Sequence, residues 1–183
     1  REPDPSSVDA VFNSSGADAR VTLGPGIELW DASLLSAAAS FAGAFASGDD
    51  FAASEMMTEA AKREHAALTG DGAWFDATED LRAVRIVYLT QSPRAEERAF
   101  GGDLIFAFED ADGAYILRWD ASRDGESWTF GPNAAITEAE RDRAGDWDGL
   151  SLTEYETAGG GGASAGANGS PEARWTALLR EAA

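Results

Sequence analysis

Residues 100–130, FGGDLIFAFEDADGAYILRWDASRDGESWTF, constrain the fold more than any other stretch of the chain. Leu104, Phe106 and Phe108 alternate with Asp103, Ile105 and Ala107, the period-two pattern of a strand with one apolar face. Asp112-Gly113 marks a tight turn, because glycine takes the positive φ that hairpin turns require. Tyr115, Leu117 and Trp119 then share a face, with Arg118 and Asp120 opposite. Asp124-Gly125 marks a second turn, and Trp128 and Phe130 continue the aromatic face. The stretch reads as a three-stranded antiparallel meander. Its bulky side would leave a large apolar patch in water, so it needs a cover. The helical segments lie upstream and supply it.

The 183 residues suit one domain with tails, and 44% apolar content is enough for a core. A net charge of −19 argues against nucleic acid and anionic membrane as partners. It favours solubility, cationic partners or a salty environment. Lys62 is the one lysine; with high Asp, Glu and Ala this suggests a GC-rich genome from a marine or halophilic source. There is no cysteine, which removes disulfides, thiolate chemistry and Cys-based metal sites. No run approaches the ~20 apolar residues of a membrane span. The chain begins at Arg1 rather than Met. That is expected of a processed, exported protein (periplasmic or extracellular), although a cytoplasmic location and a non-native start both stay open.

Upstream, residues 1–19 are rich in Pro, Ser, Asp and Gly and read as a flexible lead-in. Segments 20–23 and 27–30 flank Gly24-Pro25-Gly26, as a short hairpin or as one extended stretch broken by a turn. Asp31 suits an N-cap for a helix over 32–47, with Leu34, Leu35, Ala38, Phe41, Ala42 and Phe45 at helical spacing and Gly48 as its stop. Asp50 caps a second helix over about 51–68, whose stripe is Phe51, Met57, Ala60, Ala61 and Leu68. Residues 71–80 read as an acidic loop holding Trp74 and Phe75. Residues 81–90 form the first long strand, with Val84, Ile86 and Tyr88 on one face and Ala83, Arg85, Val87 and Leu89 on the other.

Downstream of the meander, Gly131-Pro132 ends the sheet, and Thr137 with Glu140 has the spacing of a capping box for a short helix over about 138–144. Residues 146–170 are acidic and then Gly-rich (GGGGASAGANGS), the composition of a linker. Residues 171–183, PEARWTALLREAA, are helical again, with Ser170 as cap and Trp175, Leu178 and Leu179 on one face. A helix this short is marginal in water and must dock, either on its own domain or in the groove of a sister subunit or partner.

The segment FAGAFASGDDFAASEMMT at 41–58 and the closing hairpin DGAYILRWDASRDGESWTF resemble the nuclear transport factor two-like, or cystatin-like cone, superfamily. The resemblance spans about 31–131, and the tail has no counterpart in it. It implies a cone in which helices pack on a curved antiparallel sheet around an apolar cavity. It also implies either a non-catalytic binding and dimerisation module or a dehydratase, isomerase or cyclase with an Asp/His or Asp/Tyr set in the cavity.

His65, the one histidine, lies at the border of the second helical stripe. It is either a general base at the cavity, being titratable near neutrality, or a helix-border residue beside Lys62, Arg63 and Glu64. Tyr88 is its candidate catalytic partner. Tyr115, Trp119 and Phe106 either line a ligand pocket or belong to an ordinary aromatic core. No inward-facing carboxylate is legible, since Asp103 and Asp120 sit opposite the core stripes. Asp110-x-Asp112-Gly113 and Asp146-x-Asp148-Gly149 are fragments of calcium loops without the full ligand series, and the first suits a hairpin turn. No phosphate loop, nucleophile elbow or His-rich spacing is present, so no metal and no cofactor is expected.

The sequence thus predicts an α+β cone at 20–145, preceded by the lead-in at 1–19 and followed by the linker at 146–170 and the helix at 171–183. The expected function is a non-enzymatic binding or assembly module, dimeric or attached to a protein partner through Trp175, Leu178 and Leu179. The alternative is a cavity enzyme of the dehydratase or isomerase type using His65 and Tyr88. A cavity filled by Phe106, Trp119 and Trp128 favours the module; a carboxylate turned inward near His65 favours the enzyme. On the module reading, His65→Ala leaves stability nearly unchanged.

Overall fold

A computed structural model describes residues 7–93, 100–133, 136–139, 144–145 and 147. The C-terminal helix expected at 171–183, with Trp175, Leu178 and Leu179, lies outside the described residues, as does the linker apart from Trp147.

The order of elements is α1 (Val8–Ser14), β1 (Val21–Leu23), α2 (Ala32–Ser47), α3 (Asp50–Glu55), α4 (Glu59–Gly70), α5 (Ala73–Glu79), β2 (Ala83–Pro93), β3 (Phe100–Glu109), β4 (Ala114–Asp124) and β5 (Ser127–Asn133). The fold is α+β. The strands form one open sheet in the order β1-β2-β3-β4-β5. Pairs β2 to β5 are antiparallel, as the meander predicts, but β1 lies parallel to β2, so the sheet is mixed.

Local chemistry explains the elements. Asp31 caps α2 by accepting from the backbone N–H groups of Ser33 and Leu34, and Gly48 ends it at φ 67°. The α2 stripe of Leu34, Leu35, Ala38, Phe41, Ala42 and Phe45 is wholly buried. At the β3–β4 turn, the Asp110 carboxylate accepts from the N–H groups of Asp112 and Gly113, so this Asp-x-Asp-Gly works as a turn.

Four expectations are corrected. The lead-in is helical over Val8–Ser14, because Ser7 accepts from the Ala10 N–H and apolar Val8, Val11 and Phe12 pack on the core. Segments 20–23 and 27–30 do not pair with each other; only the first becomes a strand. The second helix is two, α3 and α4, with Asp49 and Thr58 as caps. Between them, Met57 bridges to Phe130, with Thr58 N–H donating to Phe130 O and Phe130 N–H donating to Met56 O. That pairing closes the outer edge of β5 locally and interrupts the helix; Phe51 and Ala60 are left exposed. The loop at 71–80 contains α5, which buries Trp74 and leaves Phe75 exposed.

The sheet carries apolar residues on both faces. All of Leu104, Phe106, Phe108, Tyr115, Leu117, Trp119, Trp128 and Phe130 join the main core beneath the helices. A smaller cluster of Val87, Ile105, Ala107, Ala114 and Ile116 occupies the other face, covered by Ala144 and Trp147 with Ile136 packed alongside.

Candidate functional site

Aromatic rings pack against one another between the helices and the sheet. Phe41 lies 4.6 Å from Phe130 in a stacked arrangement, 5.0 Å from Trp119 and 5.9 Å from Phe106 between ring centroids. Phe45 continues the network to Phe108 and Trp74. Phe108 in turn stacks on Tyr115 at 5.3 Å. The three residues expected either to line a pocket or to form a core, Tyr115, Trp119 and Phe106, therefore serve as core. Aromatic contacts at these distances are packing contacts with no room for a ligand between them.

His65 sits inside this layer rather than at its border. It is 5% exposed, and its ring stands edge-on to Trp74 at 4.5 Å. Its Nε2 lies 3.0 Å from the backbone oxygen of Asp50. A carbonyl can only accept, so Nε2 carries the proton and Nδ1 is the bare nitrogen. Nδ1 is buried without a hydrogen-bond partner. Burial pushes the imidazole below its ordinary pKa, against the opposing pull of the Asp50 carbonyl and of the Asp50 charge. A neutral ring that pins α4 to the start of α3 is a packing device, and the expectation that His65→Ala would leave stability unchanged is revised accordingly.

Tyr88 is on the other side of the sheet. The β2–β3 register shifts between Ile86, paired with Phe106, and Tyr88, paired with Ile105, so Val87 is an extra residue in the strand. A bulge of this kind inverts the alternation beyond it. Val84, Ile86 and Leu89 face the helices, while Val87 and Tyr88 pack with the second cluster. The predicted face of Val84, Ile86 and Tyr88 is therefore broken at Tyr88. The structure does not bring His65 and Tyr88 together, and the expected catalytic pair is separated by the sheet itself. The unbroken apolar run Ile86-Val87-Tyr88-Leu89 was the available signal, since no strict alternation buries all four on one face.

Tyr88 instead borders an edge cleft of about 400 Å³, formed by the turn after β1 and by β2 from the bulge onward. Its walls include Ile27, Glu28, Trp30, Tyr88 and Leu89. Trp30 is 53% exposed and Glu28 is exposed, while Tyr88 is half-buried. Gly24 makes the close approach that shapes this corner: its N–H donates to Ile86 O at 2.8 Å, and a Cβ on it would lie 3.1 Å from both Ile86 O and Val87 Cα. Nothing in the composition of residues 25–30 marks them as site residues; Trp30 reads equally well as the end of an extended stretch.

The outer face of the sheet also holds an ionic group. Arg118 Nη2 donates to Asp103 Oδ1 at 2.7 Å and lies 3.7 Å from Asp120 Oδ1. Asp103 is thus paired across to the neighbouring strand, and Asp120, two residues along β4 from Arg118, shares the same guanidinium while both carboxylates stay partly exposed. Arg85, 8% exposed, lies over the Trp147 ring at 5.4 Å, and the Trp147 indole N–H donates to Ala144 O at 2.8 Å. Trp147 was read only as part of an acidic linker, and its burial needed the tertiary structure to be seen. No helix among the described residues is long and apolar enough to cross a membrane.

No family model matches the chain, and neither a curated protein nor a solved structure matches it.

Proposed function

We propose that the chain is a non-enzymatic binding or assembly module, built on a cone of the nuclear transport factor two-like kind. The observation that carries this reading is the packed interior: Phe41 contacts Phe106, Trp119 and Phe130 between the helices and the sheet, where the resemblance implies a cavity. The reading draws further support from His65, whose ring has a backbone carbonyl, Asp50 O, as its one described hydrogen-bond partner. Helices on one face of a long meander are compatible with the cone. We assign self-association or partner attachment to the amphipathic segment 171–183, through Trp175, Leu178 and Leu179, tethered by the Gly-rich stretch before it. The protein acts as an exported dimer on this view.

Light scattering on the full chain and on a version ending at Ala158 tests the tail. A lower assembly mass after truncation supports docking through 171–183. An unchanged dimer mass moves the self-association surface to the folded domain, and a monomer in both removes the dimer from the proposal.

A further inference from the structure

The two edges of the sheet are treated differently. At β5, the Met56–Thr58 segment bonds to Phe130 and covers the middle of the edge. At the opposite side, β1 pairs with β2 only through Val84, Arg85 and Ile86. Gly24 N–H makes the last bond, to Ile86 O, and the chain then turns away through Pro25 and Gly26, the latter at φ 79°. Strand β2 continues to Pro93, and among the described residues no strand pairs with it on that side beyond Ile86. Val84 N–H donates to Arg20 O and Ile86 O accepts from Gly24, so these residues turn their backbone groups outward. Beyond the bulge, Leu89 and Gln91 share their face and, by the alternation of a strand, turn N–H and C=O to the same open edge. The bulge at Val87 and the missing N–H of Pro93 limit the open stretch to about five residues.

A row of backbone groups that the sheet leaves unpaired is a template for another strand. This one lies beside the cleft, where Ile27, Trp30 and Tyr88 supply apolar surface for a side chain within a lining that is otherwise partly polar. Among the described residues Glu28 is the one charged side chain lining the cleft, and the chain carries a net charge of −19. A basic segment would be drawn to this edge, whereas a second copy would bring its own acidic edge and Glu28 there; the dimer proposed above forms through the tail instead.

We propose that the open edge of β2 and the Trp30–Tyr88 cleft bind an extended, basic peptide segment of a partner protein as an added strand. Backbone pairing at Leu89 and Gln91 supplies affinity, the cleft selects an apolar side chain, and Glu28 favours a neighbouring Lys or Arg. This deepens the binding-module reading with a site separate from the tail, so the sizing experiment and the one below can fail independently.

The test uses the full chain and a fluorescent, acetylated Lys-Val-Lys-Val-Lys-Val peptide, read by polarisation. The expected result is saturable binding, weakened about tenfold or more by Trp30→Ala and about two- to fivefold by Glu28→Gln. Methylating alternate peptide nitrogens keeps the charge but removes strand hydrogen bonds, and is expected to abolish binding. Equal binding of the methylated peptide would mean diffuse charge attraction and overturn the proposal; so would equal binding of a Glu-Val counterpart, or no binding at all. Amide exchange in the free full chain is the second measurement. Fast exchange at Leu89 and Gln91 that slows on adding the peptide supports the open edge. Slow exchange without peptide would mean that the chain's own tail or a second copy already fills it, and would overturn the assignment to a partner.

Discussion

His65→Ala separates a structural histidine from a catalytic one. Removing the ring deletes the bond to Asp50 O, worth about 1 kcal/mol net. It also deletes the edge-on contact with Trp74, worth about 0.5–1.5 kcal/mol. The residual cavity adds about 1–1.5 kcal/mol at ~24 cal/mol per Å³ if most of the ring volume stays empty. Against these stands relief of the unpartnered Nδ1, about 1 kcal/mol. The net loss is about 1.5–3 kcal/mol, read in urea denaturation as a lower midpoint at constant slope, or as a Tm lower by roughly 3–12 °C. The pH dependence has a definite sign. The unfolded chain protonates His65 near its ordinary value of 6.5, whereas burial makes the folded chain resist until lower pH. Stability is therefore flat with respect to this group above that value and falls as pH is lowered from about 6.5 toward the folded-state pKa. His65→Phe keeps a ring against Trp74 and cannot take the proton. It is expected to retain most of the stability and to lose this part of the acid slope. A loss below about 0.5 kcal/mol for His65→Ala, within the range of ordinary surface substitutions, would refute the packing role. An unchanged acid slope in His65→Phe would refute the assignment of that slope to His65.

Two further substitutions test the packing that underlies the functional reading. Phe41→Ala, at a fully buried position touching four other rings, is expected to cost about 3–5 kcal/mol, while Phe75→Ala, 52% exposed, stays within about 0.5 kcal/mol; similar small effects for both would mean that the interior is not filled. Gly102→Ala places a Cβ against the Thr90 backbone oxygen and 3.3 Å from Leu34 Cδ2, so it is expected to lose about 1–3 kcal/mol and the amide protection along β2 and β3, whereas Gly70→Ala, with open space around it, is neutral or slightly stabilising in the same exchange and denaturation measurements.

The sequence by itself determined what depends on neighbours in the chain. The meander from Phe100 to Phe130 was legible because strand alternation and the two Asp-Gly turns are written over short distances, and the pairing of Leu104 with Trp119 and of Phe106 with Leu117 follows once the turn is placed. Helix α2 was legible because its stripe and both of its caps are local. Tertiary structure decided the rest. The break between α3 and α4 exists because Met56 and Thr58 exchange backbone bonds with Phe130, a partner more than seventy residues away along the chain; Thr58-Glu59 is a usable helix start, but nothing local says that it is used. The bulge at Val87 is coupled to the close approach of Gly24, and it alone decides that Tyr88 leaves the face that Val84 and Ile86 share. His65 looked like a border residue because α4 by itself has a border there; α5 and Trp74 pack over that border and bury it. The edge site has the same origin. Residues 25–30 and 87–91 carry no motif, and their meaning comes from where β1 stops while β2 goes on. Side-chain period and capping are properties of a segment, whereas edges, bulges and burial are properties of how segments meet, and these decided where the candidate site lies.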